Sequence, residues 1–356
     1  MTDVLDLPST RQEAWRWADT GGIAAAAALA PVAPAKADFL DLPGARLLFV
    51  DGVLDDAASD LHRVRIGDLT PGDHPLGARA THGWSLHLDA GAVADPVQIV
   101  HVATGGQNHV AAEIVLAADT SAQLVETFVG AGWSNRHTRI RLGHAARLMR
   151  AVRMTQDAGF VSLRDDAELG EGASYVATVL GAGDQGARVD AAITLAGAGG
   201  YAEFGGALLT RDATKQECAV RVRHAAPNGQ SHQLWRAVAA DTSQASLAAA
   251  VEVARHAQKT DGEQSLRGLL LQRTATVNLK PELEIFADDV KCAHGATVGE
   301  LDARALFYMA SRGIPAPRAK ALLTRAFVAD ALDRIADDTV RDAFAADADA
   351  WLERAL

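Results

Sequence analysis

The chain has 356 residues, of which 49% are apolar and 22% charged, the balance of a soluble globular protein long enough to bury a large core in one domain with appendages or in two. Its formal net charge of −11 argues against a non-specific nucleic-acid binder or an anionic-membrane binder, since both need a basic surface. The two cysteines, Cys218 and Cys292, lie far apart, which is no disulfide framework and fits a reducing cytosol.

In chain order, residues 8–30 read as helix: Ser9 and Thr10 offer caps, Glu13 follows Thr10 by three, and Trp15, Ile23 and an alanine-rich run come next before Pro31 and Pro34 break the pattern. The apolar run from Ala24 to Ala30 is too short to cross a bilayer, and no basic leader or small-residue cleavage pattern precedes it, so a cytoplasmic protein without a membrane span is expected. From Phe39 to Gly77 the text is mixed. RLLFVDGVL predicts a hairpin about Asp51-Gly52, and Pro71-Gly72 predicts a turn. Residues 1–83 are thus expected to form an N-terminal helical and irregular region.

From Trp84 the text breaks into short alternating runs, among them VQIVHVA, AEIVLAA, QLVETFV, TRIRLG, SYVATVL and ECAVRVRHAA, each closed by Gly, Asp, Asn or Pro. So many short strands with almost no helical period between them predict a sandwich or a β-solenoid, and with no sharp repeat visible, periodicity alone leaves both open. GAGDQG at Gly181–Gly186 has the spacing of a dinucleotide loop, but the alternation of Val189, Ala191, Ile193 and Leu195 predicts a strand after it where a phosphate site needs a helix N-terminus. It reads as a turn. GxxxxGK[ST], HExxH and GxSxG are absent, so no nucleotide of its own is expected. Cys218 within ECAVRV reads as a buried small hydrophobe, and His224 and His232, flanking a Pro-Asn-Gly turn, read as structural.

The densest set of unusual residues runs from Lys280 to Gly313. Leu283, Ile285 and Val290 alternate with charged residues, predicting extended chain with a turn near Ala287 to Asp289. Cys292 and His294 follow two apart, a spacing that in a strand places a thiol and an imidazole on one face. Gly295 and Gly299 are read as ending that strand. A helix is predicted from Asp302 to Ser311, stopped by Gly313 with Pro315 and Pro317 beyond. Two amphipathic helices follow, one carrying Leu322, Leu323, Phe327, Val328, Leu332 and Ile335, the other Val340, Phe344, Trp351 and Leu352. Periodicity alone favours their packing on each other.

APNGQS at Ala226–Ser231, AQKTDGEQ at Ala257–Gln264, LLL at Leu269–Leu271, KPELEIFADDVKCAHGATVGELD at Lys280–Asp302 and LFYMASRGI at Leu306–Ile314 together resemble the SufB/SufD family of scaffold subunits in the SUF iron–sulfur cluster assembly system. The glycine after His294 resembles the SufD form. The resemblance implies a mainly β fold: a right-handed parallel β-helix core at residues 84–295, flanked by the N-terminal region and a C-terminal helical domain at 296–356. The helical regions are expected to cap the two ends of the solenoid. It further implies a non-catalytic chain that pairs with SufB through the β-helix, or with a second copy of itself, and that docks the ATPase SufC on the C-terminal domain around Leu306, Phe307, Ile314, Leu322, Leu323 and Phe327. A nascent cluster or iron, shared with SufB, is then expected at His294 with Cys292 beside it, since imidazole and thiolate ligate such centres. Two thiols cannot hold a cluster alone. The competing expectation is a secreted-type β-helix enzyme acting on carbohydrate, which needs paired carboxylates on an exposed sheet. The adjacent Asp288 and Asp289 would point to opposite faces of a strand and so fail as such a pair.

Overall fold

The computed structural model describes residues 5–356. β1 (Arg46–Val50) and β2 (Val53–Leu54) form the predicted hairpin, and Asp51 and Gly52 at its corner have φ of 49° and 79°, the left-handed pair that a two-residue turn needs. β3 (Val64–Asp68) pairs antiparallel with β4 (His82–Leu88). The chain between them bends at residues 73–74 and turns at 75–76, not at Pro71-Gly72.

β5 (Val97–Leu116) and β6 (Ser121–Leu142) each span two faces of the molecule. The alternation in the sequence splits each into two strands because it fails at Gly105, Gly106, Gly130 and Gly132. All four have positive φ and bend the chain round a corner, while pairing resumes after a shift between Thr104 and Gln107. A Cβ on Gly130 would lie 2.1 Å from the Ala103 carbonyl oxygen, so the close stacking of these corners requires glycine there.

Beyond β6 the strands alternate between two parallel sheets. β7 (Arg147–Met154), β9 (Ser174–Gly181), β11 (Tyr201–Thr210), β13 (Gln230–Ala239), β15 (Asp261–Leu270) and β17 (Lys291–Glu300) stack on one; β8 (Ala158–Leu169), β10 (Gly186–Leu195), β12 (Lys215–His224), β14 (Gln244–Val253) and β16 (Thr276–Ile285) stack on the other. The result is a parallel β-solenoid of about eight turns, which settles the choice that periodicity left open. Register carries each inward row from turn to turn: Leu163, Val189, Cys218, Leu247 and Leu279 are successive partners. Cys218 is fully buried in that row, and burial pushes its thiol well above the ordinary range.

One corner of the solenoid is a ladder of left-handed residues. Asp119, Ala145, Gly172, Gly199, Asn228 and Lys259 have φ between 50° and 68°, and each donates its N–H to a carbonyl of the next turn, as Asn228 does to Gln258 at 2.9 Å. The ladder uses backbone groups only, so it accepts Asp, Ala, Gly, Asn or Lys. That is why no repeat motif is visible in the sequence.

The N-terminal segment is less helical than the pattern suggested. A 3-10 turn at Glu13–Trp15 precedes α1 (Thr20–Ala27), whose cap is Asp19, accepting from Gly22 N at 3.1 Å, and not Ser9 or Thr10. Trp15, Ala18, Ile23 and Ala26 pack outside the second sheet on Trp133 and Phe160. α2 (Ala303–Ser311), capped by Asp302, α3 (Ala316–Leu332) and α4 (Asp338–Ala355) complete the chain. Val328, Leu332, Phe344, Trp351 and Leu352 bury themselves on the outer side of the first sheet against Leu180, Leu209, Val238 and Leu269. Arg153–Asp347 (2.6 Å), Arg334–Glu203 (2.8 Å) and Arg236–Asp330 fasten the edges of that contact. Both helical regions therefore lie along the flanks and do not cap the final turn, a correction to the sequence expectation. Their apolar stripes meet apolar outer rows of the sheets, whereas the last turn offers mostly exposed side chains.

Candidate functional site at the open end of the solenoid

The last turn is β16 and β17. Among the described residues, strand β16 pairs only with β14, and β17 only with β15, so each presents one edge without a strand partner. Pro281 within β16 is compatible with this, because a residue lacking an N–H is tolerated on an edge strand. Strand β17 runs through Gly295 and Gly299 to Glu300, longer than the sequence suggested. Pairing with β15 holds both glycines extended, and neither has a positive φ.

Register fixes where the two singled-out side chains point. In β15, Gly262, Gln264 and Leu266 are buried and alternate with less buried residues. Their partners in β17 are Cys292, His294 and Ala296, so Cys292 and His294 share the inward face and sit at the mouth of the solenoid interior. His294 is exposed because no turn follows, while Cys292 is half-buried against Val251, Val253, Leu283 and Val290. Burial pushes the Cys292 thiol up and Asp261 adds to this, against a hydrogen bond with the Gly262 backbone. The thiol is thus protonated at neutral pH until a metal or a base takes its proton. Among the described residues no three His, Cys, Asp or Glu side chains converge as a metal site, so iron held at His294 and Cys292 needs further ligands from outside the chain.

Asp288 and Asp289 lie in the bend between β16 and β17, where Asp289 is paired with Lys259 at 2.7 Å. They form no carboxylate pair on a sheet. His224 is buried, bonded to Ser231 Oγ at 2.8 Å and packed under Gly229, and His232 faces Glu263 at 3.6 Å, the structural settings that the sequence suggested.

The C-terminal residues divide. Phe327 is half-buried against the sheet, Leu306, Ile314 and Leu323 are half-buried, and Phe307 (77% exposed) and Leu322 (40%) lie open with Tyr308 beside them. Helix α2 has no buried residue. Two features escaped the sequence reading. A groove of about 430 Å³ runs between the N-terminal segment and the second sheet, but its deep charges are already satisfied: Arg188 pairs with Glu217 (2.7 Å) and Asp190 (2.6 Å) and lies over the Trp15 ring. Inside the solenoid, Gln264 and Gln233 occupy positions where the alternation calls for apolar residues. A polar residue in inward phase was the available signal.

Comparison with known proteins fits this geometry. Residues 99–327 match the family described as SUF system FeS cluster assembly, SufBD core domain, a match that takes in the solenoid from β5 onward together with α2 and most of α3. The chain belongs to the SufBD family. Among its relatives, the iron–sulfur cluster assembly protein SufD of Escherichia coli K12 is 41% identical over 111 residues, which is 31% of this chain and 26% of that protein. The chloroplastic protein ABCI7 of Arabidopsis thaliana is 42% identical over 117 residues, 33% of this chain and 25% of that one. A SufBD family protein of Mycobacterium tuberculosis is 32% identical over 173 residues, 46% and 43% of the respective chains. The matches thus span less than half the length of these relatives. Membership places the chain in a family described by SUF-system iron–sulfur cluster assembly, and no helix among the described residues is long and apolar enough to cross a membrane.

Proposed function

We propose that this chain is a non-catalytic scaffold subunit that pairs with SufB through the open edges of β16 and β17, carries SufC on its C-terminal helices, and offers His294, with Cys292 beside it, to iron or a nascent cluster shared across the interface. The observation that carries the reading is the uncovered final turn. Two long parallel edges with unpaired backbone groups are a template for another chain, and the one imidazole and one free thiol of that turn stand at its mouth. A second copy of the chain is the alternative occupant of the same edges. The ATPase activity belongs to SufC; ATP-driven movement of the C-terminal domains would open the interface. The unpaired thiols suit the reducing cytoplasm, where we place the protein.

For SufC, the exposed Phe307, Tyr308 and Leu322, with the half-buried Leu306, Ile314 and Leu323 behind them, supply the apolar anchors that a helix-mediated contact needs. Removing residues 301–356 is expected to abolish SufC capture while the β-rich far-UV signal persists. Full-affinity capture by the truncated chain would refute the docking assignment.

The site itself is tested by His294→Ala in the complex reconstituted with SufB and SufC. Association should hold, since truncating one exposed side chain at a large interface costs no more than about 1–2 kcal/mol. Cluster formation from ferrous iron and sulfide, followed by absorbance, should fall at least tenfold. Clusters built at the wild-type rate in a complex of normal stoichiometry would make His294 structural.

A further inference from the structure

Gln264 lies one turn behind His294 as its direct register partner in the β15–β17 ladder, on the same inward face. Adjacent strands run about 4.8 Å apart, so the two side chains stack as neighbours on that face. Gln264 is 1% exposed. Its Nε2 donates across the interior to the Glu282 carbonyl at 3.3 Å, which fixes which amide atom is left over. The leftover atom, Oε1, is buried and has no donor among the described residues. A buried acceptor without a partner is uncommon in a folded protein and asks for one.

We propose that Gln264 is a positioning residue for His294, its Oε1 accepting one imidazole N–H and so fixing the ring's tautomer and orientation; this rests on the reading of His294 as an iron ligand. The protonated nitrogen then faces into the solenoid, and the lone pair of the other nitrogen faces out of the mouth toward an incoming metal. Ligating histidines are commonly held by such an acceptor. A neutral amide suits the task, because it orients the ring without adding the charge that a carboxylate would bring. The next glutamine inward supplies a control. Gln233, the register partner of Gln264 in β13, has the same burial, donates to the Ala250 carbonyl at 3.0 Å and also leaves its Oε1 without a donor, but it is two turns from His294.

The experiment compares full-length wild type, Gln264→Met and Gln233→Met, each labelled with ¹⁵N-histidine, with the His294 ring signals assigned by their loss in His294→Ala. Wild type should show one tautomer dominant at His294. Gln264→Met, which keeps length and bulk and removes the acceptor, should move that ratio several-fold toward the mixture of free imidazole and slow cluster assembly on the complex with SufB and SufC. Gln233→Met should leave both unchanged. An unchanged tautomer ratio in Gln264→Met, or an equal effect from Gln233→Met, overturns the proposal; should Gln264→Met fail to fold, Gln264→Asn, which withdraws the oxygen by one methylene, gives the same reading. The two hypotheses fail differently. Wild-type assembly in His294→Ala overturns the ligand reading and this proposal with it, whereas loss of assembly in His294→Ala beside normal tautomer and assembly in Gln264→Met overturns the positioning role alone.

Discussion

Replacing Glu126 with glutamine should destabilise the protein far more than a change of one atom suggests. Glu126 and Arg150 from one sheet, with Arg136 and Asp165 from the other, point into the solenoid, and all four side chains are at most 3% exposed. The two acids balance the two guanidiniums. Arg150 Nε lies 3.0 Å from Glu126 and its Nη1 2.6 Å from Asp165, while Arg136 reaches Glu126 at 3.2 Å and Asp165 at 3.3 Å, and the Tyr175 hydroxyl donates to Asp165 at 3.0 Å. Burial opposes ionisation of Glu126, but Arg136 and Arg150 outweigh it and hold the carboxyl well below the usual carboxylate range. Glu126→Gln leaves two buried cations sharing one anion, a loss of about 3–5 kcal/mol. With a urea slope of about 3 kcal/mol/M, the midpoint should fall by roughly 1 M or more. The pair Glu126→Leu with Arg150→Met removes one charge of each sign and should come back to within about 2 kcal/mol of wild type. Urea unfolding followed by circular dichroism checks both. A loss under about 1 kcal/mol in Glu126→Gln, or a double variant worse than the single, would refute the account of a mutually neutralised interior network.

Two further outcomes follow from burial. Burial lowers His224 from 6.5 to about 4, so its neutral form is favoured in the folded state; the stability it contributes is complete above pH 6.5 and is lost as pH falls toward 4, on the order of 3 kcal/mol. His224→Gln should flatten the fall in thermal midpoint across that window, and an unchanged slope would show that the ring titrates as in the unfolded chain. With its thiol raised by burial, Cys292 should alkylate with iodoacetamide more slowly at pH 7.5 than free cysteine and accelerate above pH 9, as read by mass spectrometry. Alkylation as fast as free cysteine at pH 7.5 would contradict the half-buried setting.

The sequence by itself determined the elements: the Asp51-Gly52 hairpin, the run of short strands, the bend at Ala287–Asp289, the helix that stops at Ser311 before Gly313, and the pairing of Cys292 with His294 on one strand face, because each is set by local periodicity or by turn and helix-end chemistry. Resemblance of motifs near the C-terminus supplied the family and the solenoid. Tertiary structure alone decided the rest. Whether VQIVHVA and AEIVLAA are two strands or one bent strand depends on how close Gly130 lies to the turn before it, a contact between residues far apart in sequence. The apolar spacing of Leu322, Phe327 and Leu332 and of Val340, Phe344 and Trp351 marks the C-terminal helices, but the faces they bury depend on whether a sheet flank or a solenoid end offers apolar surface, and the flank does. Glu126, Arg136, Arg150 and Asp165 read singly as ordinary surface charges, and only register brings them together inside. The same register places Gln264 behind His294, since a parallel solenoid stacks residues a whole turn apart in sequence, beyond the reach of any local pattern.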